Sequence, residues 1–120
     1  MGIRDGHETR DRLAVSDPPT AILAASMISA SGVRRAIEEA GLTIGKDVSV
    51  ITHDDELSYL RNGQDVPIFT ATRSSVHQAG RVLAEMLLRR IEDPTAVPEQ
   101  ILLEAELVVG RSTGPAPTGG

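Results

Sequence analysis

The sequence predicts an α/β fold: a Rossmann-like parallel sheet with flanking helices. Short apolar runs bounded by helix breakers alternate with amphipathic helices, and the runs 20–25 and 48–52 enclose one such helix. A strand, a helix and a second strand in this order form a βαβ unit. The chain has 120 residues, which is enough for one buried core but not for two.

Composition excludes several classes of protein. The 17 acidic and 12 basic residues give a net charge of −5, whereas non-specific DNA binding depends on an excess of Lys and Arg. The absence of cysteine excludes disulfides and thiolate metal sites. No run approaches the roughly 18 apolar residues that span a bilayer, and the first residues lack the pattern of a secretory signal. We therefore expect a cytoplasmic protein without membrane contact.

The first part of the chain is expected to lead into the βαβ unit. The charged run 8–12 favours a short exposed helix that ends before two prolines. The run 20–25 is apolar throughout, which predicts a strand buried on both faces. Apolar residues then recur at spacings of three and four from Ser29 to Ala40, and Gly41 follows directly. This pattern predicts an amphipathic helix with a glycine cap at its end.

The remainder of the chain is expected to complete the sheet. The runs 48–52 and 67–72 are predicted strands. A capping-box spacing opens a predicted helix from Ser75 to Glu92 with a broad apolar face. Alternation over 100–109 predicts a strand with one buried face. The segment 111–120 has almost no apolar content, which indicates a disordered tail.

The densest polar cluster runs from His53 to Glu56, after the second strand, where open α/β sheets place their ligands. Neighbouring side chains in an extended chain point to opposite sides, so a metal cage would need distant ligands that the sequence does not identify. Asp54 and Asp55 also lack a recognisable nucleophile. We expect no metal, no cofactor and no catalytic residue. The plain alternative is a solvated acidic loop.

The polar residues that follow the other two strands have a structural alternative too. Ser26 and Ser29 could cap the helix that follows them, and this role is compatible with contact to a ligand. The capping box already explains Ser75. No glycine pattern matches a nucleotide-binding loop.

The order of these elements, with the residues at their ends, resembles the C-terminal portion of the effector-binding domain of the LacI/GalR family of transcription regulators. The resemblance spans about residues 5–114. The residues that carry it are Pro19-Thr20-Ala21-Ile22, Ala30-Ser31-Gly32, Gly41, Val48-Ser49-Val50, Asp54-Asp55, and Pro67 to Thr70 with Gly80.

This resemblance implies part of a type I periplasmic-binding-protein fold, namely its C-terminal lobe with crossover elements. Two such lobes close on a small effector, and the resemblance places Ser26, Asp54 and Ser74 at ligand-binding positions. A carboxylate that accepts from hydroxyl groups makes strong charge-assisted bonds, which suits a sugar or sugar derivative. Met27 and the pair Thr52-His53 depart from the family pattern beside these positions.

The resemblance also implies a division of the chain and a set of partners. Residues 1–16 form an N-terminal helix, 17–110 the effector-binding and dimerisation lobe with its crossover helix, and 111–120 the disordered tail. The crossover helix would lack its packing partner, and operator DNA would be contacted only through a domain that this sequence does not contain. The expected homodimer contacts are Val33, Ile37, Leu57, Tyr59 and Leu60.

Three hypotheses follow. The first is the ligand-sensing and dimerising portion of a sugar-responsive LacI-type regulator, without enzymatic activity. The second is a solute-binding component of a carbohydrate uptake system, which shares the fold and would require an export signal. The third is an α/β enzyme that uses Asp54 or Asp55.

Overall fold

The computed structural model describes residues 2–56 and 60–119. One sheet of four strands in the order β1-β2-β3-β4 organises the chain; the first three strands are parallel and β4 is antiparallel to β3. The parallel α/β class is therefore confirmed. The elements are α1 (Gly2–Leu13), β1 (Ala21–Leu23), α2 (Met27–Glu39), β2 (Ser49–Asp54), β3 (Thr70–Arg73), α3 (Val76–Glu92) and β4 (Glu106–Val108).

Helix α2 has the capping signals that the sequence predicts. The Ser26 hydroxyl accepts from the backbone N–H of Ser29 at 3.3 Å and so caps the helix at its start. At its end Gly41 has a φ of 75°, and the N–H of Leu42 donates to the carbonyl of Ile37 at 3.1 Å. This is a Schellman motif, which satisfies carbonyls that the end of a helix leaves open.

The core lies between α2 and one face of the sheet. Apolar side chains of α2 meet those of β2 and of the segment before β3, and partly buried side chains surround them. The buried members of this cluster are Ala24, Met27, Ala30, Val33, Ile37, Val48, Val50 and Phe69.

Helix α1 packs against α2 and is not free in solution. Thr9 is only 6% exposed, and Leu13 packs against the core cluster. The guanidinium of Arg10 hydrogen-bonds the carboxylate of Glu39 across the two helices. The expectation of an exposed first helix is correct for its charged side but wrong for the side that α2 covers.

The second face of the sheet is open in the described part of the chain. Leu23 and Ile51 are register partners, and they are 80% and 37% exposed. Leu107 in β4 is 64% exposed. The strand predicted over 20–25 is therefore three residues long and not buried on both faces. The strand predicted over 100–109 is also reduced to three residues and lacks the buried face, because β4 pairs at the margin of a sheet that no helix covers on this side.

Helix α3 stands apart from this body. No other helix or strand within residues 2–56 and 60–119 packs against it, and none of its side chains is buried. The predicted capping residue is confirmed, since the Ser75 hydroxyl accepts from the N–H of Gln78 at 3.2 Å. The molecule measures 63 × 30 × 27 Å with a radius of gyration of 18.5 Å, whereas a compact chain of this length has about 14 Å.

The start of the predicted disordered tail is a fixed part of the sheet. Ser112 is fully buried, and its hydroxyl donates to the carbonyl of Val50 and accepts from the N–H of Thr70 at 2.8 Å. Its own carbonyl accepts from the N–H of Val50, also at 2.8 Å. The segment 111–114 therefore bridges the start of β2 and the start of β3. The prediction of disorder from residue 111 is wrong for these residues, because the hydroxyl and the carbonyl of Ser112 form hydrogen bonds with backbone groups of Val50 and Thr70.

None of the helices in the described part of the chain has both the length and the apolar character that a membrane span requires.

Candidate ligand site at the carboxyl edge of the sheet

The three predicted ligand-binding residues follow three parallel strands. Ser26 lies after β1, Asp54 is the last residue of β2, and Ser74 follows β3 directly. Because the strands run in the same direction, their carboxyl ends share one edge of the sheet, where open α/β folds bind ligands.

Asp54 and Ser74 are joined through the backbone. The N–H of Ser74 donates to the carbonyl of Asp54 at 3.0 Å, and the N–H of Val76 donates to the carbonyl of Asp55 at 3.3 Å. These bonds extend the pairing of β2 and β3 by one step. They fix the loop after β2 against the first turn of α3.

The carboxylate of Asp54 is held in a defined orientation. Its side chain is buried, and Oδ1 accepts from the backbone N–H of Glu56 at 2.9 Å. Glu56 has a φ of 59°, in the left-handed region, which allows the chain to turn back toward Asp54. Within the described residues no donor reaches Oδ2 of Asp54. Among the described residues, one carboxylate oxygen therefore serves the turn and the other has no recorded donor.

Asp54 lines a cleft of about 570 Å³. The cleft is also lined by Arg73, which pairs with Glu106 at 2.8 Å and lies 4.0 Å from Glu56. The hydrogen bond that Arg73 donates to Glu106, together with the negative charge of this carboxylate, raises the pKa of Arg73 above its ordinary value. Residues of the loop 60–67 line the cleft as well.

The loop 60–67 is fixed by one amide side chain. Asn62 donates from Nδ2 to the carbonyl of Phe69 at 2.8 Å and accepts at Oδ1 from the N–H of the same residue at 2.7 Å. Asn62 therefore occupies both backbone groups of Phe69, as a neighbouring strand would. The sequence reasoning assigned no role to Asn62, although an Asn-Gly pair marks the turn.

His53 is a residue that the sequence reasoning did not assign to ligand binding. Its Nδ1 lies 2.8 Å from Oγ1 of Thr72, and its Nε2 lies 3.1 Å from Oγ of Ser74. His53 and Thr72 are register partners, so their side chains stand on the same face of the sheet. The signal in the sequence was the alternation along β2, which separates His53 from the buried Thr52 and Asp54.

Ser26 lies at the same edge but is engaged in capping. Its hydroxyl accepts from the N–H of Ser29 and lies 3.2 Å from the Ser29 hydroxyl. The capping role is therefore confirmed. A contact between Ser26 and a ligand stays a prediction.

The predicted dimer residues are distributed differently from the expectation. Val33 is 4% exposed and Ile37 is fully buried, because both point from α2 into the core. They have no surface to offer a partner, and their assignment to a dimer interface is wrong. Leu60 packs partly against the same core, whereas Leu57 and Tyr59 lie outside the described residues.

The cluster from His53 to Glu56 does not assemble into a metal cage. Across residues 2–56 and 60–119, no group of three or more His, Asp or Glu side chains is placed to hold a metal ion. The buried hydroxyl of Thr52 has no hydrogen-bond partner among these residues.

The sequence matches the family described as periplasmic binding protein-like domain over residues 2–113. It is 50% identical over 101 residues to the HTH-type transcriptional regulator AglR of Rhizobium meliloti (strain 1021), which covers 83% of this chain and 28% of the relative. It is 38% identical over 98 residues to the regulator MalR of Streptomyces coelicolor, with 82% and 28% covered. The chain thus spans less than a third of the length of these relatives.

Solved structures of similar proteins share the fold. A LacI family transcriptional regulator from Bifidobacterium animalis subsp. lactis superposes with a TM-score of 0.81 at 25% identity, covering 98% of this chain and 42% of the other. A LacI family regulator from Enterococcus faecium with bound ribose superposes with a TM-score of 0.76 at 26% identity, covering 97% of this chain and 41% of the other. The transcriptional regulator CelR in complex with cellobiose superposes with a TM-score of 0.73 at 29% identity, covering 92% of this chain and 32% of the other.

Proposed function

Because this chain belongs to the periplasmic binding protein-like family, in the form found in LacI-family transcription regulators, we propose that it senses a sugar effector and dimerises within such a regulator. It acts in the cytoplasm, without catalysis and without a cofactor. A separate helix-turn-helix domain, of the kind that the relatives' names indicate, contacts operator DNA.

The observation that carries the proposal is the open oxygen of Asp54 at the carboxyl edge of the sheet. Oδ1 is used by Glu56, so Oδ2 is the atom that accepts from a ligand hydroxyl. A fixed carboxylate makes charge-assisted bonds of about twice the strength of neutral ones. The adjoining cleft of about 570 Å³ falls in the range of small-molecule sites.

The comparisons favour a sugar and favour a regulator over the two alternatives. Two similar solved regulators hold ribose and cellobiose, respectively. The relatives named above are transcription regulators, which argues against a solute-binding component of an uptake system. They also argue against an enzyme that uses Asp54 or Asp55.

Homodimer formation is part of the proposal, with a reduced set of contacts. Leu57, Tyr59 and Leu60 remain the proposed contacts. The exposed side of α2 is polar and carries Arg35 and Glu38. A pairing through this side of the helix would therefore depend on charge as well as on apolar area.

The test is isothermal titration of the complete protein that contains this chain with ribose, cellobiose, maltose and sucrose. We expect at least one of these sugars to bind, and Asp54→Asn to weaken that binding by about tenfold or more, because a hydrogen bond to a charged group is lost. Asp11→Asn, on the exposed side of α1, is the matched control and should leave the affinity unchanged. Equal affinity of the wild type and Asp54→Asn would remove Asp54 from the site.

A further inference from the structure

One side chain links two strands at the edge where the ligand is proposed to bind. The imidazole of His53 contacts Thr72 through Nδ1 at 2.8 Å and Ser74 through Nε2 at 3.1 Å. Both nitrogens of the ring are therefore engaged by hydroxyl groups, one from β3 and one from the residue that follows β3. A ring held at both nitrogens has one orientation.

The rest of the sheet leaves Ser74 with His53 as its side-chain partner. The charged groups of the neighbouring strands, Asp54, Arg73 and Glu106, are register neighbours on the opposite face. There Arg73 pairs with Glu106 at 2.8 Å. Within the described residues, the hydroxyl of Ser74 thus has one recorded side-chain partner, Nε2 of His53.

We propose that His53 is a positioning residue that fixes the hydroxyl of Ser74 for the effector and sets whether this hydroxyl donates or accepts. This inference rests on the proposed function and concerns the same carboxyl edge of the sheet, on the face opposite to the cleft that Asp54 lines. It adds a residue that determines which sugar hydroxyl fits beside Ser74.

The chemistry of a neutral imidazole gives this effect. One ring nitrogen carries a proton and donates, while the other accepts. When Nε2 accepts, the Ser74 hydrogen points to the ring and the oxygen lone pairs remain for a ligand donor. When Nε2 donates, the Ser74 oxygen is used by the ring and its hydrogen remains for a ligand acceptor. The tautomer of His53 therefore decides the role of Ser74.

The experiment combines binding with NMR on the complete protein that contains this chain. Sugar affinity is measured by titration for wild type, His53→Phe, His53→Gln, Ser74→Ala and the double variant His53→Phe/Ser74→Ala, with the ligand found among ribose, cellobiose, maltose and sucrose. The ¹⁵N shifts of the histidine side chains report the tautomer and the hydrogen bond to Nε2. His77→Gln, at an exposed position of α3, is the matched control.

We expect His53→Phe to weaken binding by about tenfold in the wild-type background and by less than twofold when Ser74 is already alanine, because residues that act through one another are not additive. His53→Gln, whose amide can reach Ser74, should recover part of the affinity. Ser74→Ala should shift the Nε2 resonance of His53 and leave that of His77 in place.

Two results overturn the inference while the proposed function stands: sugar affinity that depends on Asp54 but not on His53, or a His53 Nε2 resonance that Ser74→Ala leaves unchanged. A loss on His53→Phe that is equally large in the Ser74→Ala background shows a general structural role and also overturns it. If the wild type binds none of the sugars, the proposed function fails and the inference falls with it.

Discussion

Ser112 has a buried hydroxyl that is paired both as a donor and as an acceptor. It donates to the carbonyl of Val50 and accepts from the N–H of Thr70. Ser112→Ala would leave both backbone groups buried without a partner, so we expect a loss of about 1–3 kcal/mol in the free energy of unfolding. Urea denaturation measures it. Thr118→Ala, at an exposed position, is the control and should have no effect; a Ser112→Ala variant as stable as this control would contradict the bridging role.

Thr52 is a buried hydroxyl of the opposite kind. Its side chain is 1% exposed, and Oγ1 finds no partner in the described part of the chain. Thr52→Val keeps the shape and removes the unsatisfied group, so we expect the free energy of unfolding to rise by about 1 kcal/mol. The same urea titration checks this, and a decrease would show that the hydroxyl has a partner in solution.

At the scale of the element, the end of α2 depends on one glycine. Gly41 has a φ of 75°, and a Cβ there would meet nothing within 4 Å, so the cost of Gly41→Ala is confined to the backbone. We expect a loss of about 1–2 kcal/mol in the free energy of unfolding. Gly80→Ala in α3 is the matched control, because it meets nothing within 4 Å and has a helical backbone. It should stabilise its helix instead.

The contact between α1 and α2 should depend on pH through Glu39. Hydrogen bonds from Arg10, and then from Arg35, lower the pKa of Glu39 below its ordinary value of 4.5. A carboxyl whose pKa is lower in the folded state contributes stability above its unfolded pKa, and this contribution is lost as the pH falls through the folded pKa. We therefore expect α1 to detach more readily as the pH falls below the ordinary pKa of 4.5.

Protection factors from amide exchange in α1, determined at pH 6 and at pH 3, measure this effect. The difference in protection between the two pH values should vanish in Glu39→Gln. It should weaken in high salt, because Glu39 and its arginine partners are exposed and screened by ions. Glu38→Gln, which removes only a pair within α2, is the control. Equal pH dependence in the wild type and Glu39→Gln would assign the effect to another carboxyl.

Elements that local signals define could be predicted from the sequence. The Ser26 cap and the Gly41 motif lie within a few residues of the helix that they limit, and the Ser75 cap is equally local. The predictions of a strand over 100–109 and of a disordered tail after residue 110 were wrong for one physical reason. Their state depends on contacts with distant residues, such as the bond between Ser112 and Val50, 62 positions apart, and no local pattern encodes such a contact.

The candidate site shows the same division. Apolar runs in the sequence mark where the strands before Asp54 and Ser74 stop, and the family resemblance assigns both residues to ligand binding. It missed His53, whose role depends on the register that aligns it with Thr72. It also placed Val33 and Ile37 at a dimer interface, although the apolar periodicity of α2 equally describes a face that packs on its own sheet.

At the scale of the whole molecule, the apolar surface of α3 should control self-association. Leu83, Leu87 and Ile91 are 60–65% exposed on this helix, and no described element covers them. An apolar stripe in water favours burial against another surface. We expect the isolated 120-residue chain to self-associate at micromolar concentrations, as sedimentation velocity would show.

The matched variants are Leu87→Glu and Gln78→Glu, which add the same charge to the same helix. The first should reduce self-association and the second should not, while the thermal melt of the sheet and α2 stays the same for both. A compact monomer with a sharp melt for the wild-type chain would contradict the role of α3.

The bridge at 111–114 has a consequence for biosynthesis. Val50 and Thr70 leave the ribosome long before Ser112, yet their backbone groups are satisfied only when this residue arrives. During translation these groups, which face each other between β2 and β3, therefore stay without this partner until Ser112 has been added. A chain that ends before Ser112 would lack this bridge, so we expect a protease to digest it faster than a chain that includes residues 111–114, as limited proteolysis of the two would show.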